Sequence, residues 1–405
     1  MKLAIITALI LASISSAYGQ ASATPPDTVS SSVGNIRIER LATLELPWGM
    51  ALLPDGRLLI TEKPGRLRIW ANGRMSEPVQ GVPKVVYRGT EEDQGGLLDV
   101  AIDPDFARNS LVYLSYVEAA EQQSPDLGET GEARFRDMDT SDNIVRGGVV
   151  ARGRLDGNQL RDVQVIWRQV PKTLGRGHFG NRMVFAPDGK LFITSGERMR
   201  FEPAQSLASN LGKVVRINSD GSIPTDNPFV GTANARGDIW SYGHRNMLSA
   251  AFDPSGRLWI VEMGPLGGDE LNLIERGKNY GWPIVSNGDN YNGSPIADHT
   301  TRKDLQAPIR SWNPVISPSG ALFYKGTLFQ GWSGSLLAGG LSSQSIVRLT
   351  LDGDRVRFEE WIAMQRRIRD LIEMPDGAIL VIVDDKRGDL LRLTPADARQ
   401  TRAQR

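Results

Sequence analysis

Cysteine is absent from the 405 residues. That excludes disulfides, thiolate zinc sites, iron–sulfur clusters and thiol nucleophiles. Histidine is almost as scarce: His178, His244 and His299 are the three copies, so a general base working near neutral pH has few candidates. No charge sign dominates either. The 47 Lys and Arg balance 47 Asp and Glu, and no global basic field favours nucleic acid. Long apolar runs are missing too. The stretch from Leu3 to Ile14 is too short to cross a hydrocarbon core of about 30 Å, and no later segment reaches the roughly 20 residues a spanning helix needs.

That first run has another use. Lys2 precedes it, and Ala17-Tyr18-Gly19 and Ala21-Ser22-Ala23 follow it with small side chains at cleavage spacing. Residues 1–23 therefore read as a secretory leader, with a periplasmic or secreted product. A flexible segment over 24–36, a folded domain over 37–395 and a frayed tail over 396–405 complete the expected organisation.

Glycine is abundant, with 43 copies beside 23 prolines and no collagen period. Many tight turns between short strands are implied. One phrase recurs: Pro54-Asp55-Gly56-Arg57-Leu58-Leu59-Ile60, Pro187-Asp188-Gly189, Pro254-Ser255-Gly256 and Pro375-Asp376-Gly377, each running into an apolar strand. Degenerate copies at Pro104-Asp105-Phe106 and Pro318-Ser319-Gly320 make six. Proline presets φ, Asp or Ser bonds the local backbone, and glycine takes the positive φ that opens the next strand. The intervals of 50, 83, 67, 64 and 57 residues each hold a blade of four short strands plus loops. An all-β fold follows, a six-bladed β-propeller with long loops on its active-site face. The longest interval contains a polar excursion over residues 118–143.

Several segments carry chemistry. His178 stands among glycines in Gly175-Arg176-Gly177-His178-Phe179-Gly180, just before a strand, where it can project into a central funnel or serve the structure alone. His244-Arg245-Asn246 follows an aromatic strand, and its charge needs an internal carboxylate or an anionic ligand. Arg367 and Arg369 alternate along a strand and so share a face; they suit an anion clamp or a solvated edge. Gly264-Pro265-Leu266-Gly267-Gly268-Asp269-Glu270 combines free carbonyls with carboxylates, oxygen donors of the kind calcium takes.

In their order along one chain, these segments resemble the soluble quinoprotein glucose/aldose sugar dehydrogenases, a six-bladed propeller family using pyrroloquinoline quinone (PQQ) and calcium. The similarity runs from about Pro47 to Leu393. It implies Gln94, in Gln94-Gly95-Gly96, beside the quinone; His178 as the catalytic histidine; Arg245 and Asn246 on the quinone; and Arg367 and Arg369 on its carboxylates. It further implies calcium on the Gly264 and Pro265 carbonyls, with Asp269 and Glu270 continuing that site. Trp312 is either a platform for a sugar face or a core tryptophan. The sequence departs from known members twice: Gly177 stands where some members carry an aspartate before the histidine, and Ser342 stands where well-known members carry a lysine that contacts the quinone.

The resemblance implies oxidation of an aldose at C1 to an aldonolactone. His178 would act as general base, and electrons would pass to an external acceptor. The chain would work as a monomer or homodimer without nucleic-acid or membrane-spanning partners. A calcium-dependent lactone hydrolase on a similar propeller, and a non-catalytic sugar- or partner-binding propeller, are the competing expectations.

Overall fold

The computed structural model describes residues 27–90, 92–123 and 144–396. The expected leader lies outside these residues, as do nearly all of the tail and residues 124–143 of the polar excursion. The described chain forms six antiparallel sheets of four or five strands. Their innermost strands, in chain order, are Pro47–Leu52, Leu97–Ile102, Gly180–Phe185, Asn246–Met247 continued by Ala251–Phe252, Pro318–Phe323, and Ile368–Glu373. Each packs against the next and the last against the first, which closes a six-bladed propeller. Among the described residues no helix is long and apolar enough to cross a membrane.

The second strand of each blade is covered on both faces, so it reads as a continuous apolar run rather than an alternation. Ile379–Val383 is buried at every position, as is Leu58–Glu62. Towards the rim one face meets water and alternation returns, as in Arg66–Ala71. Six apolar cores fill the six gaps between neighbouring blades.

Blade 6 joins the two chain ends. Gly34–Leu44 pairs with Gly388–Pro395, and Thr28–Ser31 pairs with Gly34–Leu44 on the outer edge. This corrects the expectation of a flexible segment over 24–36: from Thr28 onward the chain is sheet, because Val29 and Ile36 bury themselves in the core between blades 5 and 6.

The repeated phrase links inner to second strands in four blades, and Gly56, Gly189, Gly256 and Gly377 all hold φ between +77° and +86°. In blade 2, Pro104-Asp105 leads into one turn of helix, Phe106–Asn109, and Ser110 takes the left-handed position at φ +54°. The Pro318 copy is not a turn. Pro318–Phe323 is itself the inner strand of blade 5, and its Gly320 is required because a Cβ would reach the Asp370 Cα at 2.9 Å.

These turns define one face of the ring. By antiparallel alternation the residues preceding each inner strand and those following each second strand emerge on the other face. Gln94, His178, Arg245 and Arg367 precede inner strands; Lys63, Glu197, Ser342 and Asp384 follow second strands. Most of the chemistry-bearing residues thus share one mouth. Trp48, Leu98, Phe179 and Leu248, one from each of blades 1 to 4, belong to one buried apolar cluster beside the inner strands. Arg182, from the inner strand of blade 3, donates to Asp99 of blade 2 at 2.8 Å and lies 3.3 Å from Asp370 of blade 6. Its guanidinium also sits 4.4 Å from the Trp48 ring centre, so one buried cation ties four blades together.

Candidate active site

His178, Glu197, Met199, Phe201, Arg245, Pro265, Trp282 and Asn290 line a closely packed cavity at the mouth over blades 3 and 4. His178 is held in the left-handed region at φ +51°, sparsely populated for a non-glycine residue. Two buried arginines fix that conformation. Arg198 donates to the Gly177 carbonyl at 2.9 Å and to that of Gly175, and Arg146 reaches the same Gly175 carbonyl at 3.3 Å. Arg198 also lies 3.8 Å over the Phe179 ring. Gln94 accepts the His178 N–H at 2.9 Å, which places the expected glutamine against the histidine backbone.

The imidazole Nδ1 is hydrogen-bonded to Glu197 Oε1. The other carboxylate oxygen accepts the N–H groups of Arg200 at 2.5 Å and Phe201 at 2.8 Å. Burial pushes Glu197 up, but His178, Arg245 and the Phe201 N–H outweigh it and hold the carboxyl below its ordinary range. Burial is also the largest influence on His178. With Arg245 and Arg198 it lowers the imidazole against the opposing pull of Glu197. The ring is therefore neutral at neutral pH. An ionised carboxylate can only accept, so the proton sits on Nδ1 and the lone pair on Nε2. Such a pair has the arrangement that general-base chemistry needs.

Glu197 was not singled out from the sequence. Its signal was Ser195-Gly196-Glu197 at the end of a buried strand, where Gly196 permits close approach because a Cβ would strike the His178 carbonyl. It takes over the orienting role that Gly177 cannot supply. A Cβ at 177 would already lie 2.9 Å from Met199 Sδ.

Arg245 is the cavity's cation. Its N–H is fixed by Glu262 at 2.9 Å, and its guanidinium donates to the carbonyls of Met263 at 3.1 Å and Gly264 at 2.6 Å and to the Tyr291 hydroxyl at 3.0 Å. Trp282, a wall residue, faces the guanidinium at 5.2 Å and packs on Phe201 at 5.3 Å. Arg245 Nε and Asn246 Oδ1 are buried with no hydrogen-bond partner. The bare guanidinium donor of Arg245, a residue of the cavity lining, fits a polar anionic cofactor.

Other expectations are placed differently. Arg367 and Arg369 do share a face, but both close on Asp384, each through Nε at 3.0 Å and Nη2 at 2.7 Å. Burial would raise Asp384; Arg369 and Arg367 overcome this and bring it down to about 2. One carboxylate against two guanidiniums leaves a net positive charge on the blade 6 side of the mouth. Asp269 accepts from the Gly264 N–H at 2.8 Å and the Ser317 N–H at 2.7 Å. Glu270 bonds His299 at 3.0 Å and Asn272 at 3.2 Å. The two carboxylates therefore serve separate internal networks rather than one cluster with the Gly264 and Pro265 carbonyls. Among the described residues no three His, Asp or Glu side chains gather as metal ligands, so a cation here would rest on main-chain carbonyls.

Trp312 is a core residue. It sits in the gap between blades 4 and 5 and donates to Glu359 at 3.0 Å. Trp282 takes the aromatic position in the cavity instead. Ser342 lies at the mouth and donates to the Val315 carbonyl at 3.2 Å. At the corresponding place on blade 1, Lys63 donates to the Asp93 carbonyl at 2.6 Å, and burial followed by Arg369 lowers it to about 8. A lysine therefore does stand at this mouth, on a different blade from the one the resemblance implied.

The comparisons place this six-bladed propeller, with its Glu197-paired histidine and its arginine at one mouth, among the sugar-dehydrogenase propellers. Residues 44–392 match the family described as glucose/sorbosone dehydrogenase, and the chain belongs to that family. It is 39% identical to the aldose sugar dehydrogenase YliI of Escherichia coli, over 87% of this chain and 91% of that one. The solved apo-form of the soluble aldose sugar dehydrogenase from Escherichia coli superposes with a TM-score of 0.79 at 36% identity, covering 89% and 99% of the two chains. The PQQ-bound aldose sugar dehydrogenase of Streptomyces coelicolor gives 0.68 at 26% identity, covering 91% and 100%.

Proposed function

We propose that this protein oxidises the C1 hydroxyl of an aldose to the aldonolactone with PQQ and calcium, and that His178 is the base. The observation that carries the reading is the neutral, Glu197-oriented His178 beside Arg245 in one cavity. Bound PQQ supplies the two-electron acceptor, and calcium a Lewis acid acting on it.

The chain's own residues do the rest. His178 Nε2 takes the hydroxyl proton as the C1–H bond breaks, assistance worth about 10²–10⁴ in rate. Arg245 and Asn246 face the developing negative charge and bind the cofactor. Gln94 holds the His178 backbone in place. Arg367 and Arg369 offer their net positive charge to cofactor carboxylates, and the carbonyls of Gly264 and Pro265 hold the cation. Trp282, Phe201 and Met199 exclude water from the base. Electrons leave to an external acceptor. The leader-like sequence over residues 1–23 supports a periplasmic or secreted location.

The test is dye reduction with aldoses after reconstitution with PQQ and calcium. Wild type should turn over, and His178→Ala should lose at least about 10²-fold in kcat with an unchanged melting temperature. Turnover retained by the variant removes His178 from the chemistry. No turnover by wild type with any aldose rejects the reading.

A further inference from the structure

Arg245 does more than face a ligand. It already occupies a carbonyl that the proposed function assigns to calcium: Nη1 donates to Gly264 at 2.6 Å and to Met263 at 3.1 Å, while Nη2 holds the Tyr291 hydroxyl at 3.0 Å. The carbonyl cannot swing away. Asp269 fixes the Gly264 N–H at 2.8 Å, and the loop is so tight that a Cβ at 264 would strike the backbone of Gly267 and Gly268. Calcium approaches carbonyl oxygens to about 2.3–2.6 Å. An ion on this oxygen with Arg245 in place would bring a divalent and a monovalent cation within about 5 Å inside a buried site. The two repel strongly at that distance, and a side chain can turn where the Gly264 loop cannot.

The rest of the residue shows what would draw it off. Its Nε is buried without a partner, and so is Oδ1 of the adjacent Asn246. An anionic ligand in the cavity satisfies that donor and competes for the guanidinium. Tyr291, 48% exposed at the rim, is the second arm of the hold.

We propose that Arg245 is a latch. Its guanidinium is the resident cation on the Met263 and Gly264 carbonyls, the anionic cofactor withdraws it, and calcium and cofactor therefore bind with positive cooperativity. By linkage each tightens the other equally. The inference rests on the reading above that the Gly264 carbonyl holds calcium.

The experiment is calorimetric titration of calcium into the full chain, with and without saturating PQQ, for wild type, Arg245→Met and Tyr291→Phe, each checked by a thermal melt. Methionine keeps an apolar stem against Trp282 and removes the charge. Without PQQ, Arg245→Met should bind calcium at least about tenfold tighter than wild type, or about 1.4 kcal/mol. Tyr291→Phe should shift in the same direction by less. PQQ should tighten calcium at least about tenfold in wild type and far less in Arg245→Met. Equal or weaker calcium binding by folded Arg245→Met overturns the latch and leaves the calcium reading intact. Calcium binding by no chain under either condition overturns that reading and the latch with it. Should Arg245→Met fail to fold, an unshifted Tyr291→Phe together with no PQQ effect in wild type overturns the latch on its own.

Discussion

Glu197→Gln changes one oxygen for one NH₂ at the centre of the proposed chemistry. The carboxylate accepts from three donors: the imidazole at Nδ1 and the main-chain N–H groups of Arg200 and Phe201. A glutamine has a single acceptor oxygen, so whichever way it turns, its NH₂ meets at least one of those donors. If it meets the imidazole, Nδ1 must become the acceptor. The proton then sits on Nε2, the nitrogen that has to be bare. Fixing the wrong tautomer in a Ser-His-Asp triad costs about 10⁴ in kcat, and a lost general base about 10²–10⁴. A fall in kcat of about 10²–10⁴ with little change in KM is expected. The pH profile adds an independent readout. Burial, Arg245 and Arg198 lower His178 while Glu197 opposes them. The acid limb of kcat/KM in wild type should therefore lie below the ordinary imidazole value of 6.5. Without Glu197 the imidazole falls further, so the limb should move to still lower pH while the plateau drops. Dye reduction across the imidazole range measures both. A variant within about threefold of wild type, with an unmoved acid limb, would refute the dyad.

Two further predictions concern packing. Arg182→Met leaves Asp99 and Asp370 facing one another without their shared cation, and removing one partner from a buried ion pair costs about 3–5 kcal/mol; a denaturant melt should show a loss of that size. Trp312→Phe should lower stability with kcat and KM unchanged, whereas Trp282→Phe should raise KM with a smaller stability loss, which paired melts and kinetics would separate.

Much of this molecule could be read in advance because propeller blades repeat their local rules. The turn glycines at positive φ mark four blades directly, and the order His178, Arg245, Gly264 marks the mouth. The turn phrase misled at Pro318, where the same residue types serve a strand. There Gly320 makes room for Asp370 rather than opening a turn. What remained hidden depends on partners distant in sequence. Asp384 is separated from Arg367 and Arg369 by a whole strand, so their neutralising carboxylate left no local trace. Arg182 looks like any inner-strand arginine until Asp99 and Asp370 arrive from other blades. Nothing in their local sequence assigns Trp312 to the core and Trp282 to the cavity; only the blade gap claims one and the cavity the other.

The same repetition explains why one histidine is available as a base and its counterpart is not. In blades 3 and 4 alike, a Gly-His pair ends two residues before the inner strand, and the imidazole Nδ1 meets a glutamate at the end of the second strand: His178 with Glu197, His244 with Glu262. In blade 3 that glutamate lies two residues beyond Leu191–Ser195, out at the mouth. In blade 4 it is still inside Leu258–Met263, paired in register with Met247. The second imidazole is thereby drawn inward. It stacks on Tyr280 at 4.5 Å, and its Nε2 is consumed by the Ser241 hydroxyl at 2.9 Å. With both nitrogens engaged, His244 can only hold the backbone from which the next residue, Arg245, reaches the cavity. A shift of a few residues in where the carboxylate sits thus separates the proposed base from a scaffold, and it sets the two side by side: the Glu197 N–H donates to the Arg245 carbonyl at 2.9 Å, so the blade that carries His178 and the blade that carries Arg245 are hydrogen-bonded through these residues.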